Sequence, residues 1–204
     1  MGSFERQVIG ILGAPGAWTN QIGQSLIRCG TQLLWPNQVL LEGHQSLYER
    51  NCENPEAARI HDIILGDCGK NRYSDSLPEF FDVPFPGPEQ FLLKFLPDKP
   101  VAIVDSFICL VWDIWRPYIT DVVIVNVEED VTRHFLTKWV DVNMTEAECH
   151  AVFGLYLSQL RKVEDSFVGR RSHLYSVSND TMKDSRCDEL ASSIIQAMDG
   201  PHVR

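Results

Sequence analysis

The chain has 204 residues, a formal net charge of −10 and a hydrophobic fraction of 44%. This acidity disfavours general binding to nucleic acid or to a membrane surface, because both kinds of partner need a basic surface. No apolar run approaches the roughly 20 residues that span a bilayer, and the first residues lack the long apolar region of a signal peptide. We therefore expect one cytoplasmic domain over residues 1–204.

The first predicted element is a buried strand, Val8–Leu12, which leads into the small-residue loop 13–17. An amphipathic helix is predicted from about residue 19 to 29. A strand, a loop of small residues and a helix together present backbone N–H groups to a phosphate at the helix N-terminus. The residues of this predicted phosphate site are Gly13, Gly16, Ala17, Trp18, Thr19 and Asn20. The alternative is a plain strand-to-helix turn, with Trp18 packed over the sheet edge.

The next third of the chain is less regular. Leu33–Glu42 can hold a short second strand, and Pro55–Cys68 is predicted to form a helix whose inner face includes His61. Imidazole titrates near neutrality, so His61 is a candidate general base, and a hydrogen-bonded core or boundary histidine is the alternative. The proline-rich segment 69–100 is predicted as a long irregular insertion, which is typical of a lid or a binding loop.

The second half of the chain alternates between apolar strands and amphipathic helices. In chain order these predicted elements are Val101–Asp105, Phe107–Trp115, Val122–Val127, Glu129–Val142, Thr145–Phe167, His173–Val177 and Ser185–Met198. Thr145 and Glu148 have the spacing of a capping box. The alternation indicates a three-layer α/β domain, with a mainly parallel central sheet and helices on both faces. Ligands of such sheets bind at the carboxyl ends of the strands.

Polar residues follow two of these strand ends. Asp105 can orient a substrate group or a loop N–H, or it can cap the helix that follows. Arg133, one turn into a later helix, is a candidate phosphate ligand, but we favour a solvated face that Arg133 and Lys138 form with neighbouring acids. The acidic run Glu128–Asp130 can hold Mg²⁺ or can simply provide favourable acids at a helix N-terminus, and we favour the second interpretation.

Cysteines and tryptophans are interpreted as core residues. The six cysteines lack the spacing of a zinc site or a redox motif, so we predict reduced thiols and no structural metal. Trp112, Trp115 and Trp139 can stack on an aromatic acceptor or on adenine, but core packing is the favoured interpretation.

Four segments, in the same order along the chain, resemble the P-loop sulfotransferase family. The phosphate loop of that family has the form G-x-x-R-S-G-T-S, which corresponds to residues 13–20 here. Glu53-Asn54-Pro55 matches a family E-N-P, and residues 104–110 match a strand end of the form K-D-P-R-L-C-L. The segment 122–129 takes the place of a strand that ends in R-H-P. The resemblance implies binding of 3′-phosphoadenosine 5′-phosphosulfate (PAPS) and transfer of its sulfuryl group to a hydroxyl of a small molecule or a protein.

Most departures from the family pattern remove groups that hold the nucleotide. Gly16 replaces the loop arginine, Ala17 the loop serine and Trp18 the loop glycine. The arginine that the resemblance assigns to the 3′-phosphate falls near Asn126, beside Glu128-Glu129. Because sulfuryl transfer depends on cations and backbone donors around developing negative charge, the alternative is a catalytically inactive sulfotransferase-fold protein. Such a protein would serve as a partner-binding or scaffolding module.

Thr19 and Asp105 keep the family residues. The resemblance places Thr19 and the loop amides on the 5′-phosphate of PAPS, with His61 as the candidate base. A nucleotide kinase or GTPase is disfavoured, because no G-x-x-x-x-G-K-[ST] motif occurs in the sequence. The sequence does not predict an oligomeric state.

Overall fold

The computed structural model describes residues 7–17, 19–34, 64–70, 73–78, 99–137, 144–167, 174–178 and 184–199. The strands in these ranges are β1 (Val8–Gly13), β2 (Gln32–Leu34), β3 (Val101–Val104), β4 (Asp121–Asn126) and β5 (Leu174–Ser178). The helices are α1 (Thr19–Arg28), α2 (Trp112–Trp115), α3 (Glu129–Phe135), α4 (Glu146–Phe167) and α5 (Asp184–Asp199). A 3-10 helix, Ser106–Val111, precedes α2, and residues 64–67 are helical.

These elements confirm most of the predicted strands and helices. One helix differs, because the segment predicted as a single helix from Phe107 begins as a 3-10 helix and becomes α-helical only at Trp112. The remainder of the second predicted strand after Leu34, residues 55–63 of the predicted helix and residues 138–142 lie outside the described ranges.

The strands form one parallel sheet with the order β2-β3-β1-β4-β5. β1 lies in the centre, where Ile11 is opposite Val104 of β3 and Val123 of β4. Both outer pairs, β2 with β3 and β4 with β5, are also parallel. Because all five strands run in the same direction, their carboxyl ends lie along one edge of the sheet. This arrangement confirms the predicted parallel sheet.

The sheet is covered on both faces, which gives a three-layer α/β architecture of the P-loop type. Side chains of β1 alternate between the faces, as a period of two requires. Ile9 and Ile11 pack in a cluster with α1 and α5 residues, whereas Val8 and Leu12 pack in a second cluster with α4 residues. All six β1 residues are buried, which confirms the prediction of a central strand covered on both sides.

Trp112 and Trp115 lie in the larger of the two clusters, and each has less than 5% of its surface exposed. The Trp112 indole Nε1 donates a hydrogen bond of 3.2 Å to Ser166 Oγ, and the ring centroid lies 5.8 Å from that of Phe167. These contacts attach α2 to the end of α4. The structure therefore confirms core packing for both tryptophans, while Trp139 lies outside the described residues.

No disulfide joins the five described cysteines, which are Cys29, Cys68, Cys109, Cys149 and Cys187. Burial raises the pKa of the Cys109 thiol, and the nearby Asp105 carboxylate raises it further. Within the described ranges, no group of three His, Cys, Asp or Glu side chains is placed to hold a metal ion. None of the described helices combines the length and the apolar character that crossing a membrane requires.

The predicted capping box is present at the start of α4. Thr145 N donates to Glu148 Oε2 at 2.7 Å, and Glu148 N donates to Thr145 Oγ1 at 3.3 Å. The Thr145 hydroxyl also donates to Glu148 Oε2 at 2.7 Å. Hydrogen bonds from the Thr145 side chain and backbone lower the pKa of Glu148, because they favour its ionised form.

The capping box predicts a pH-dependent contribution to stability. Thr145→Ala should raise the pKa of Glu148 towards its ordinary value, as measured by NMR titration of the side-chain carboxyl carbon. A carboxyl with a lowered folded-state pKa stabilises the protein above its unfolded-state pKa and loses that effect as the pH falls through the folded-state value. The stability difference between wild type and Thr145→Ala should therefore shrink on acidification. An identical Glu148 titration curve in both proteins would contradict the assignment, and Ser158→Ala, on the exposed face of α4, is the control.

Candidate phosphate-binding site

The loop between β1 and α1 opens at the carboxyl edge of the sheet, beside the end of β4. Gly13, the last residue of β1, is paired with Val125 of β4. The helix that follows β1 packs on one face of the sheet, whereas α4, which lies between β4 and β5, packs on the other. Neighbouring strands whose connections leave on opposite faces create a crevice at their carboxyl ends, and ligands of α/β proteins bind there.

The loop folds back tightly over Gly13. A Cβ atom at Gly13 would lie 2.5 Å from the Ala17 Cβ and 3.0 Å from the Val125 carbonyl oxygen, so a larger residue would displace the loop. The Ala17 N–H donates to the Ala14 carbonyl oxygen at 3.0 Å, which closes the turn. Gly13 therefore allows the chain to reverse direction immediately after β1.

Gly16 has the second special backbone conformation of the loop. Its φ of +90° lies in the left-handed region, which glycine adopts without steric cost. A Cβ atom at Gly16 would lie 3.3 Å from side-chain atoms of Val131 and Phe135 in α3. The Thr132 hydroxyl, on the same helix, donates a buried hydrogen bond of 2.8 Å to the Pro15 carbonyl oxygen. The loop is therefore packed directly against α3.

The first turn of α1 stands immediately after the loop. Thr19 and Asn20 are both buried, and the Thr19 methyl carbon lies 3.4 Å from the Cβ position of Gly13. The N–H groups in the first turn of any α-helix lack an intrahelical acceptor and carry a partial positive charge. The loop and the start of α1 are therefore the part of the crevice in which backbone donors are expected, and phosphate binding there stays a prediction. Trp18 lies outside the described residues.

Asp105 directly follows β3, which lies beside β1 on the side opposite β4. Its backbone N–H donates to the Ile11 carbonyl oxygen at 3.3 Å, and its own carbonyl oxygen accepts from Ile108 N at 3.3 Å. The residue is buried, with 6% of its surface exposed. Orientation of a ligand group and capping of the following helix are both compatible with this position, so the role of Asp105 stays a prediction.

The charged and polar groups beyond β4 are mostly engaged with neighbouring elements. Asn126 is exposed, and its Nδ2 donates to Ser176 Oγ of β5 at 2.6 Å. Arg133, the candidate phosphate ligand, forms an exposed ion pair with Glu146 of α4. Within the described ranges, the α3 side chains that contact the loop, Val131, Thr132 and Phe135, are uncharged. Among the described residues, the candidate site therefore offers backbone N–H donors but few positively charged side chains.

A shallow groove of about 620 Å³ lies beside α3. It is lined by Asp130, Val131, Arg133, His134 and Thr137. Val131 both lines this groove and contacts Gly16, so the groove adjoins the loop.

The structure brings together only part of the predicted site. Gly13, Gly16, Ala17, Thr19 and Asn20 form the loop and the start of α1, and the ends of β3 and β4 flank it. His61, Lys138 and most of the segment 69–100 lie outside the described residues, and their roles stay predictions.

Sequence reasoning missed the α3 residues that contact the loop. Val131 and Phe135 are four residues apart, and this spacing places them on one face of a helix. The spacing could have identified an inward face, but the sequence contains no signal that this face meets the loop after β1.

No family model and no curated protein matches the chain. Among solved structures, the chain is similar to a gluconokinase from Sinorhizobium meliloti 1021. The two share 14% identity with a TM-score of 0.45, and the match covers 97% of each chain. A likeness of this degree carries no functional information. The assignment to a P-loop-type α/β fold rests instead on the parallel sheet, the helices on both faces and the loop after its central strand.

The contacts of Gly13 predict that Gly13→Ala destabilises the protein. The added methyl group overpacks the turn, and overpacking of this kind costs about 1–3 kcal/mol. Gly154→Ala is the matched control, because a Cβ atom there meets nothing within 4 Å in the middle of α4. That control should stabilise the protein by about 0.5–1 kcal/mol, since alanine favours a helix more than glycine does. Urea denaturation measures both, and equal effects of the two substitutions would contradict the loop geometry.

Proposed function

We propose that this chain is a divergent sulfotransferase-like protein that binds PAPS and transfers its sulfuryl group to a hydroxyl acceptor. The observation that carries the proposal is the loop after β1, which Gly13 and Gly16 hold in a closed turn at the crevice between β1 and β4. The start of α1 lies directly after this turn. Such a loop fits a phosphate group, because small residues let the backbone approach it closely.

In the proposed reaction, backbone N–H groups of the loop and of the first turn of α1 donate to the 5′-phosphate, and the Thr19 hydroxyl adds another donor. The acceptor hydroxyl oxygen forms a bond to sulfur while the bond from sulfur to the phosphate oxygen breaks, and adenosine 3′,5′-bisphosphate leaves. The acceptor proton passes to a base, for which His61 is the candidate. Asp105, at the end of β3, orients the acceptor or a loop N–H.

A second candidate function is a catalytically inactive module that binds a partner or serves as a scaffold. It is favoured by the charge of the described surroundings, where Glu128 and Asp130 are exposed at the start of α3 and Arg133 is paired with Glu146. Adenosine 3′,5′-bisphosphate carries roughly four negative charges. Each lost hydrogen bond to a charged group weakens binding by about 1.5–3 kcal/mol, so a few such losses are enough to abolish useful affinity.

Isothermal titration calorimetry with adenosine 3′,5′-bisphosphate distinguishes the two functions. The sulfotransferase proposal predicts a dissociation constant of about 100 μM or tighter, which corresponds to roughly −5.5 kcal/mol. Thr19→Ala should weaken this binding by about tenfold or more, because it removes one donor to a charged phosphate. Thr145→Ala is the control, since Thr145 also stands at the start of a helix but belongs to α4.

No heat of binding at millimolar ligand would reject the sulfotransferase proposal and favour the inactive module. Equal weakening by Thr19→Ala and Thr145→Ala would place the ligand somewhere other than the loop.

A further inference from the structure

The loop after β1 is held by a contact from α3 that is distant in sequence. The Thr132 hydroxyl donates to the Pro15 carbonyl oxygen across 2.8 Å, although the two residues are 117 positions apart. Thr132 is fully buried. A buried carbonyl that loses its donor is destabilised, because water cannot replace the missing hydrogen bond. This single hydrogen bond therefore favours one position of the Pro15 carbonyl.

The position of that carbonyl matters because Gly16 follows it. Glycine adopts a φ of +90° easily, but it adopts many other conformations as well, so the sequence alone does not select this one. Val131 and Phe135 approach within 3.3 Å of the Cβ position of Gly16. Apolar packing against Gly16 and the hydrogen bond from Thr132 to the preceding residue, Pro15, together select a single loop conformation.

α3 has its own attachments to α4, and these keep it in place above the loop. Glu129 Oε1 lies 2.7 Å from His150 Nδ1, and Arg133 is paired with Glu146. Glu129 and Arg133, the α3 residues that make these two contacts, lie on either side of Thr132 in the sequence. A helix of seven residues is too short to be stable alone, so tertiary contacts of this kind determine where it lies.

We propose that Thr132 is a positioning residue for the phosphate site. Its hydrogen bond to the Pro15 carbonyl oxygen sets the orientation of the loop N–H groups, and Thr132 itself does not contact the ligand. The effect on ligand affinity rests on the proposed function, whereas the effect on loop conformation does not. If Thr132 only filled space in the core, a substitution that preserves its shape would change neither the loop conformation nor the ligand affinity.

Two substitutions separate the hydrogen bond from the packing. Thr132→Val keeps the shape of the side chain and removes the hydroxyl, while Thr132→Ser keeps the hydroxyl and removes a methyl group. In the ligand-free protein, ¹H–¹⁵N NMR should show a displaced Gly16 amide signal in Thr132→Val, because the loop is no longer held at the Pro15 carbonyl oxygen. Thr132→Ser should retain the wild-type signal. The same result for both variants, or an unchanged Gly16 amide in Thr132→Val, would overturn the proposal.

The second measurement is calorimetry with adenosine 3′,5′-bisphosphate on the same proteins. Thr132→Val should weaken binding by about tenfold, the loss that one hydrogen bond produces, and Thr132→Ser should bind as wild type does. If wild type binds no ligand, the proposed function fails, and the Gly16 amide comparison still decides the positioning role.

A measurement on wild type covers the case in which Thr132→Val does not fold. A hydroxyl proton in a buried hydrogen bond exchanges slowly with water, so the Thr132 hydroxyl proton should be visible by NMR. It should show nuclear Overhauser contacts to protons of Pro15. Rapid exchange of this proton, or contacts to other residues only, would overturn the proposal.

Discussion

The central position of β1 is the constraint on which the rest of the structure depends. Its backbone is bonded to β3 on one side and to β4 on the other, and all six of its residues are buried. A shift of its register by one residue would exchange the side chains between the two helical layers, so the alternating pattern fixes both layers at once. The same register fixes Gly13 opposite Val125 and thereby determines where the following loop leaves the sheet.

That loop depends on both local and distant interactions. The absence of side chains at Gly13 and Gly16 permits the turn, while Val131, Thr132 and Phe135 of α3 determine its position. The result is a closed turn of small residues before α1, while Arg133 of α3 is paired with Glu146. The shape of the loop favours the proposed sulfotransferase activity, whereas the charge around it favours the proposed inactive module.

The features that could be predicted from the sequence are those that short segments determine. The buried run of β1 and the capping box of Thr145 and Glu148 depend on spacing within a few residues. The 3-10 start of the helix after β3 was not predicted, because it reflects a tight turn in which Ile108 N donates to the carbonyl oxygen of Asp105. Strand order and the hydrogen bond from Thr132 could not be read from spacing, since both join residues far apart in the chain.

We propose that the loop after β1 binds phosphate through its backbone N–H groups, although few cations are described around it. Adding one cation near the loop tests this proposal directly. Asn126→Arg places a guanidinium at the exposed end of β4, and its affinity for adenosine 3′,5′-bisphosphate can be compared with that of wild type by calorimetry. Our account predicts binding tighter by about tenfold, the gain expected from one charge-assisted hydrogen bond. Unchanged affinity, or no binding by either protein, would contradict the proposed phosphate site.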